Sequence, residues 1–266
     1  MITIKTDLIS GAGNTFHIAF GQSEVFLKAA EPHKLMQHFA KQICEKYKAD
    51  GFIFLEQEGL SNFKWYFFNN DGSDAEMCGN ATRCVGYFIV HNLIKKNSPW
   101  TLNTIAGEVQ ISTESANLFQ VKMSPIQKLN SSLGFFCDTG VPHLVLEYSN
   151  KDLFSNLNEE LKKSSSQLRF HPELQPRGTN VTYVELSENP AKLKAVSFER
   201  GVEDFTAACG TGAMAAAYYN LAMRGISQTT VEMPGGTLMM NLSNLESPIM
   251  TGPAEKIGSF EHEFKI

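Results

Sequence analysis

The chain has 266 residues, a net charge of −5, 42% hydrophobic and 19% charged residues, enough apolar material for one large core or two ordinary ones. It has no lysine- or arginine-rich run, which argues against nucleic acid or anionic membrane partners, and no apolar stretch of the roughly 18 residues that span a bilayer. The MITIKTDLIS start lacks a secretion pattern, and five sparsely spaced cysteines suit a reducing compartment, so a cytoplasmic protein is expected.

Taken in chain order, β-branched and aromatic residues predict strands at TFHIAF, GFIFLE, KWYFFN, HLVLEY, NVTYVEL and KAVSFE. Residues 33–48 carry apolar side chains at helical spacing. The run CGNATRCVGYFIVHNLIKK (78–96) is apolar or small until its basic end, where Lys95 and Lys96 suit a helix C-terminus. Segment 158–166 (NEELKKSSS) reads as a solvated helix and loop. CGTGAMAAAYYNLAMRG (209–225) has no charge before Arg224, and a helix without a polar face is a buried one.

The order of these pieces repeats. GAGNTFHIAF (11–20) resembles TGVPHLVLEY (139–148), ADGFIFLE (49–56) resembles GTNVTYVE (178–185), and KWYFFNND (64–71) resembles KAVSFERG (194–201). Gly13 then falls on Gly140 and Cys78 on Cys209. Two copies are too few for a solenoid. They predict two similar halves related by a pseudo-twofold axis, each wrapping a sheet around a central helix whose first turn carries a cysteine.

A helix start offers unpaired N–H groups and partial positive charge. Gly79 and Gly210 allow close backbone approach, and Asn80 and Thr211 add polar side chains, so each start is a candidate carboxylate cradle. A cysteine there has its thiolate favoured. Two facing starts would set an α-carbon between two sulfurs. One thiolate would remove the α-proton and the opposite thiol would return one, a task that needs preorganised donors in a low-dielectric site. No residue pattern calls for pyridoxal phosphate. The absence of a close C-x2-C pair with histidine partners argues against zinc.

At these residues the chain resembles the diaminopimelate epimerases, which invert an amino-acid centre with two cysteines and no cofactor. The resemblance runs through GAGN, FNNDGSDAEMCGNATRC, TIAGEV (104–109), GTNV (178–181), FERG (198–201), ACGTGA (208–213), PGG (234–236) and TGPAE (251–255). Proline racemase-like proteins typically have histidine where Asn80 stands. The resemblance implies an α/β (α+β) fold of two pseudo-symmetric domains, each a mixed, largely antiparallel sheet around a central helix, with the active site in the interdomain cleft. The halves would be 1–123, joined by 256–266, and 124–255. Cys78 and Cys209 would be the acid/base thiols. Asn14, Asn69, Asn180, Glu199 and Arg200 would line the substrate pocket, and Gly79, Asn80, Gly210 and Thr211 would hold the α-carboxylate. His143 and Glu199 would assist the thiols. The activity implied is interconversion of LL- and meso-diaminopimelate, in lysine and peptidoglycan precursor synthesis, by a protein whose partner is a small amino acid and which forms a homodimer. A racemase of the same fold acting on glutamate, aspartate or a proline-type substrate is the alternative.

Three stretches depart from the family pattern. Val141 replaces a pocket asparagine, Thr15 an aspartate, and GVEDFTAAC runs one residue longer than expected before Cys209. Losing an amide from the pocket predicts looser substrate choice. The bland readings stand beside these. Cys44, Cys84 and Cys137 are core thiols, and Cys78 with Cys209 could form a disulfide. His17, His91 and His171 are structural. Glu199 and Arg200 could be a surface pair. Asn69, Asn70 and the PGG run could be turn chemistry.

Overall fold

The computed structural model describes residues 2–93, 99–150 and 152–264. The strands, in chain order, are β1 (Ile2–Gly11), β2 (Asn14–Phe20), β3 (Gly51–Gln57), β4 (Asn62–Asn69), β5 (Trp100–Thr104), β6 (Gly107–Ser115), β7 (Leu118–Lys122), β8 (Gln127–Leu129), β9 (Phe135–Asp138), β10 (Pro142–Glu147), β11 (Asn180–Leu186), β12 (Lys192–Glu199), β13 (Asp204–Phe205), β14 (Gln228–Met233), β15 (Gly236–Asn241), β16 (Ile249–Pro253) and β17 (Glu255–Phe264). The α-helices are α1 (Glu24–Leu27), α2 (Pro32–Tyr47), α3 (Gly79–Phe88), α4 (Glu159–Arg169) and α5 (Gly210–Arg224). Contacts divide the chain into two compact units, residues 1–121 with 252–266, and residues 122–251.

In the first unit the strands run β17-β1-β2-β3-β4-β5-β6-β7. Successive pairs are antiparallel, antiparallel, parallel, antiparallel, parallel, antiparallel and antiparallel. In the second unit the order is β8-β9-β10-β11-β12-β14-β15-β16, with the same sequence of pairing senses. Registers correspond too. Phe16 faces Gly51 and Phe52 faces Phe68 in the first unit. His143 faces Asn180 and Val181 faces Phe198 in the second. The sequence repeat is therefore a repeat of strand order and register.

Both faces of each sheet are covered, which is why the middle strands read as nearly continuous apolar runs. On β3, Ile53 and Leu55 point to the inner face with Ala81, Val85 and Phe88 of α3, while Phe52 and Phe54 point outward to Met36, Phe39 and Ala40 of α2. The alternation is the period of two expected of a strand. In the second unit Val181, Tyr183, Val196 and Phe198 face outward, and Leu161 and Leu168 of α4 pack against them. The segment read as a solvated helix and loop is thus a longer helix with one packed face. Helix α5 touches β9, β10, β11, β12, β14 and β15, and Ala213 to Ala217 are buried, as a helix without a polar face requires. It ends where Gly225 takes φ +71°, a left-handed cap that glycine adopts cheaply.

The first inner helix is shorter than its apolar run. After Phe88 the backbone continues as a π turn over Ile89–Leu93, and Lys95 and Lys96 lie outside the described residues. Among the described residues, no helix is long and apolar enough to cross a membrane.

Candidate active site

In the first unit, Cys78 occupies the N-cap of α3 with extended backbone, φ −142° and ψ 122°. It is half-buried. Its carbonyl accepts from the backbone N–H and the hydroxyl of Thr82, each at 2.9 Å, so the cap is held without using the thiol. Asn80 is buried and donates its amide to Asn14 Oδ1 at 2.6 Å, which brings two of the expected pocket residues together. A Cβ on Gly11 would stand 2.7 Å from the Asn80 carbonyl oxygen. Only glycine lets β1 approach the start of α3 this closely. Arg83, one turn into α3, is fully buried; its guanidinium donates to the carbonyls of Gly79 at 3.4 Å and Pro253 at 3.3 Å.

Asn69 closes β4 and turns inward on its own loop, donating to Ser73 Oγ at 3.0 Å and to the Asp74 carbonyl at 3.4 Å. Asp71 accepts from the Ser73 N–H at 2.8 Å and its hydroxyl at 2.6 Å. Those two bonds hold its carboxyl below the usual range. The turn that leads to Cys78 is thereby fixed by its own polar side chains.

In the second unit, Cys209 caps α5 with φ −127° and ψ 105°, and its sulfur accepts from the Gly212 N–H at 3.4 Å. Thr211 Oγ1 lies 3.5 Å from the same sulfur. Glu199, half-buried at the end of β12, accepts from the Thr206 hydroxyl and from the Cys209 thiol. Burial raises the Cys209 thiol, and the Glu199 charge raises it further, while hydrogen bonds with Thr211, Gly212 and Ser197 act in the opposite sense. The expectation that a helix start favours the thiolate fails here. A helix terminus supplies about 0.3–1 kcal/mol, up to about 2 in buried settings, whereas full burial can move a pKa by about 3–5 units. Burial also raises Glu199, against its bonds to Thr206 and Cys209. Acid and thiol therefore lie close enough for each to act on the other's ionisation.

His143 is fully buried behind this pair. Its Nδ1 bonds the Thr182 hydroxyl at 2.9 Å and its Nε2 bonds Thr211 Oγ1 at 3.0 Å. Burial, with the nearby Arg200 charge, pushes it down to about 3, so the ring is neutral at physiological pH and reaches Cys209 only through Thr211. Asn180 joins the same group, 3.3 Å from His143 Nε2, and accepts the Arg200 backbone N–H at 2.8 Å. Arg200 and Glu199 go separate ways: the exposed guanidinium donates to the Arg177 carbonyl at 2.8 Å. Val141 is half-buried in the turn before β10. The longer loop before Cys209 pairs Asp204 with Lys162 of α4 at 2.7 Å and Glu203 with Arg169 at 3.3 Å.

Sequence reading missed Thr206, Thr182 and Ser197. Thr182 and Ser197 are fully buried and bonded to each other at 2.9 Å. The repeat itself holds the signal. Under α3 the matching positions are Phe16, Ile53 and Phe67, an apolar cluster with Phe16 and Phe67 edge to face at 5.9 Å. Under α5 they are His143, Thr182 and Ser197. The second copy thus carries a bonded polar chain behind its cysteine where the first keeps an apolar cluster.

Cys44, Cys84 and Cys137 are buried, with thiols raised by burial, to about 12 for Cys44 and Cys137. His171 accepts the Glu173 N–H, and His91 stacks on Tyr87. Pro234 and Gly235 form the two-residue turn between β14 and β15. A groove of about 500 Å³ in the first unit, lined by Phe20, Phe88, Asn92 and Phe260 among others, lies toward the C-terminal end of α3, away from Cys78. Among the described residues, no cluster of three or more His, Cys, Asp or Glu could hold a metal ion.

The sequence model of the family described as diaminopimelate epimerase matches residues 11–129 and 135–257. The chain is 32% identical to the diaminopimelate epimerase of a Hydrogenobaculum species over 93% of its own length and 94% of that protein's. It is 32% identical to the one from Aquifex aeolicus over 94% of each chain, and 37% identical to one from Campylobacter jejuni over 68% of this chain and 70% of that protein. Among solved structures, a Bacillus anthracis phenazine biosynthesis protein of the PhzF family superposes with TM-score 0.76 at 14% identity, over 99% of this chain and 100% of the other. A hydroxyproline epimerase from Agrobacterium vitis gives TM-score 0.64 at 13% identity, over 98% and 91%. These two likenesses are of fold.

Proposed function

The chain belongs to the diaminopimelate epimerase family, and from that premise we propose that it interconverts LL- and meso-diaminopimelate by proton transfer at Cα, without a cofactor. One observation carries the mechanism: Cys78 and Cys209 are N-caps of equivalent helices in two units of the same strand order and register. The reaction needs one sulfur on each face of a single α-carbon. The thiolate takes the α-proton, the opposite thiol delivers its own, and the charge has then passed from one cysteine to the other. The N–H groups that open α3 and α5, with Asn80 and Thr211, are the donors for the α-carboxylate and for the carbanion that forms beside it. Asn14, Asn69, Asn180, Glu199 and Arg200 complete the pocket, with Gly79 and Gly210 giving the carboxylate access to the backbone. His143, neutral and bonded to Thr211, fixes that hydroxyl.

The setting that follows is lysine and peptidoglycan precursor synthesis in the cytoplasm, by a homodimer. Val141, where the family has an amide, is the reason to look for relaxed selectivity, including slow turnover of glutamate or aspartate. The test is α-proton exchange in deuterium oxide, run side by side on diaminopimelate, glutamate and proline. Diaminopimelate should exchange and invert. Cys78→Ser and Cys209→Ser should each lose net inversion by at least about 10²–10⁴-fold, with one-sided exchange surviving. Inversion that persists in either variant overturns the two-thiol reading, and glutamate or aspartate left unracemised on long incubation removes the relaxed selectivity.

A further inference from the structure

The donors and acceptors behind Cys209 leave one consistent arrangement of protons. Asn180 is buried, and its Oδ1 faces the backbone N–H of Arg200 at 2.8 Å. A backbone N–H can only donate, so the amide oxygen is on that side and the amide nitrogen is the atom 3.3 Å from His143 Nε2. That nitrogen has only hydrogens to offer. Nε2 therefore carries the lone pair, and the proton of the neutral ring is on Nδ1, which donates to Thr182 Oγ1 at 2.9 Å. The Thr211 hydroxyl, 3.0 Å from the same Nε2, has a single proton and gives it to the ring. Its lone pairs then face Cys209 Sγ at 3.5 Å. We propose that Asn180 is a positioning residue that holds His143 as the Nδ1–H tautomer, which commits the Thr211 proton to the ring and makes Thr211 an acceptor for the Cys209 thiol. The bearing of this on turnover rests on the two-thiol reading above; the tautomer itself does not.

Cys209 and His143 thus compete for one proton. The Thr211 bond lowers the thiol only to the extent that its hydroxyl turns toward a thiolate, and Nε2 holds that proton on the other side. Thr182, having accepted from the ring, gives its own proton to Ser197 Oγ at 2.9 Å. The chain therefore runs one way, from Thr211 through His143 and Thr182 to Ser197, the last three fully buried. A buried donor or acceptor left over at any link would carry its desolvation cost unpaid, so reversing one bond reverses them all. The donors that remain to the sulfur are the Gly212 N–H at 3.4 Å and Ser197. Of the charged groups, Arg200 acts on the ring and helps burial to keep it neutral, while Glu199 acts on the sulfur. Glu199 and the acceptor side of Thr211 both favour the thiol. On the two-thiol reading, Cys209 is set to rest as the proton donor.

The tautomer is read directly by long-range proton–nitrogen NMR of the imidazoles at neutral pH, with the His143 signals assigned by their loss in His143→Gln. The parent should show the proton on Nδ1 and a bare Nε2. Asn180→Asp, whose carboxylate offers Nε2 an acceptor in place of a donor, should put a proton on Nε2. The consequence at the sulfur is read as alkylation of Cys209 by iodoacetamide against pH in a Cys78→Ser background, with the modified peptide identified. There Thr211→Val removes an acceptor, whereas with Asn180→Asp added it removes a donor. The valine change should therefore carry the profile further upward in the second background, by at least about half a pH unit, a threefold difference in thiolate at a given pH. A proton on Nε2 in the parent, alone or in a mixture, overturns the proposal. So does a tautomer that Asn180→Asp leaves in place, or an equal valine shift in the two backgrounds. Should Asn180→Asp not fold, the parent spectrum decides alone. A parent protein with a bare Nε2 that leaves diaminopimelate untouched sinks the epimerase reading and keeps this one.

Discussion

On the two-thiol reading proposed above, Glu199 is the residue that governs Cys209. The carboxylate accepts from the Thr206 hydroxyl and acts on the nearby Cys209 thiol, so in the proposed reaction it would take the thiol's proton when the thiolate forms and return it when the thiol is needed. The adjacent negative charge is also part of what raises the thiol. Two opposed consequences follow from Glu199→Gln. The amide cannot accept the proton, so turnover should fall by on the order of 10²–10⁴-fold. The charge is gone, so Cys209 should ionise at lower pH, which shows as faster alkylation of Cys209 at neutral pH in a Cys78→Ser background. A variant that loses activity with Cys209 reactivity unmoved would show that Glu199 acts on substrate and not on the thiol. Thr206 belongs to the same unit of chemistry because it orients the acid, although nothing in its sequence context distinguishes it from an ordinary loop threonine.

At the scale of elements, the inner helices are set by close contacts that leave no room for a methyl group. A Cβ on Gly212 would stand 2.0 Å from Ser197 Oγ and 3.2 Å from Cys209 Sγ. Gly212→Ala should therefore cost about 1–3 kcal/mol of stability and displace the thiol from its bond with the Gly212 N–H. Adding Ser197→Ala removes the nearest clashing atom, so the double variant should be more stable than the sum of the single losses predicts. Urea unfolding of the four proteins in a double-mutant cycle reads that coupling; strict additivity would place the strain elsewhere. Six strands (β2, β3, β4, β10, β11 and β12), the inner helices and their cysteines were legible in the chain because β-branched runs and uncharged helices declare their burial in composition, whereas the shorter or more polar strands such as β8 and β13 carry too few apolar residues to declare themselves. The face each strand residue takes was legible only after pairing, since Phe52 and Ile53 look alike in sequence yet serve opposite faces of β3. Helix α4 was read as solvated because its polar residues outnumber Leu161 and Leu168, the two that pack. The raised Cys209 thiol was hidden for a different reason: burial and the approach of Glu199 are tertiary facts, and they outweigh the local helix terminus that sequence does reveal.

Over the whole molecule, the first unit is closed by residues far apart in the chain. Thr6 on β1 bonds His17 Nδ1 on β2 at 2.9 Å and His262 Nε2 on β17 at 2.8 Å, tying the C-terminal strand to the first hairpin through one buried hydroxyl. Burial, with the neighbouring His262 charge, pushes His17 down to about 3, and burial with Lys46 pushes His262 down to about 4. In the second unit His143 is likewise lowered to about 3. An unfolded histidine titrates near 6.5, so between about pH 6.5 and 3 the unfolded chain binds protons that the folded chain refuses. Stability is then fully present above pH 6.5 and is lost as the pH falls. Glu199 runs the other way, because its raised carboxyl takes up a proton in the folded state first, but a single half-buried acid offsets only part of two fully buried rings. Between pH 7 and pH 5 the protein should lose on the order of 2–4 kcal/mol, seen as a lower urea midpoint with little change in slope. His143→Gln and His17→Gln should each flatten that dependence while lowering stability at pH 7, because each leaves a buried hydroxyl with a weaker partner. An unfolding midpoint that stays constant from pH 7 to pH 5 would mean that these rings already carry protons in the native state, and that both the Thr6 hub and the neutral His143 behind Thr211 are wrongly assigned.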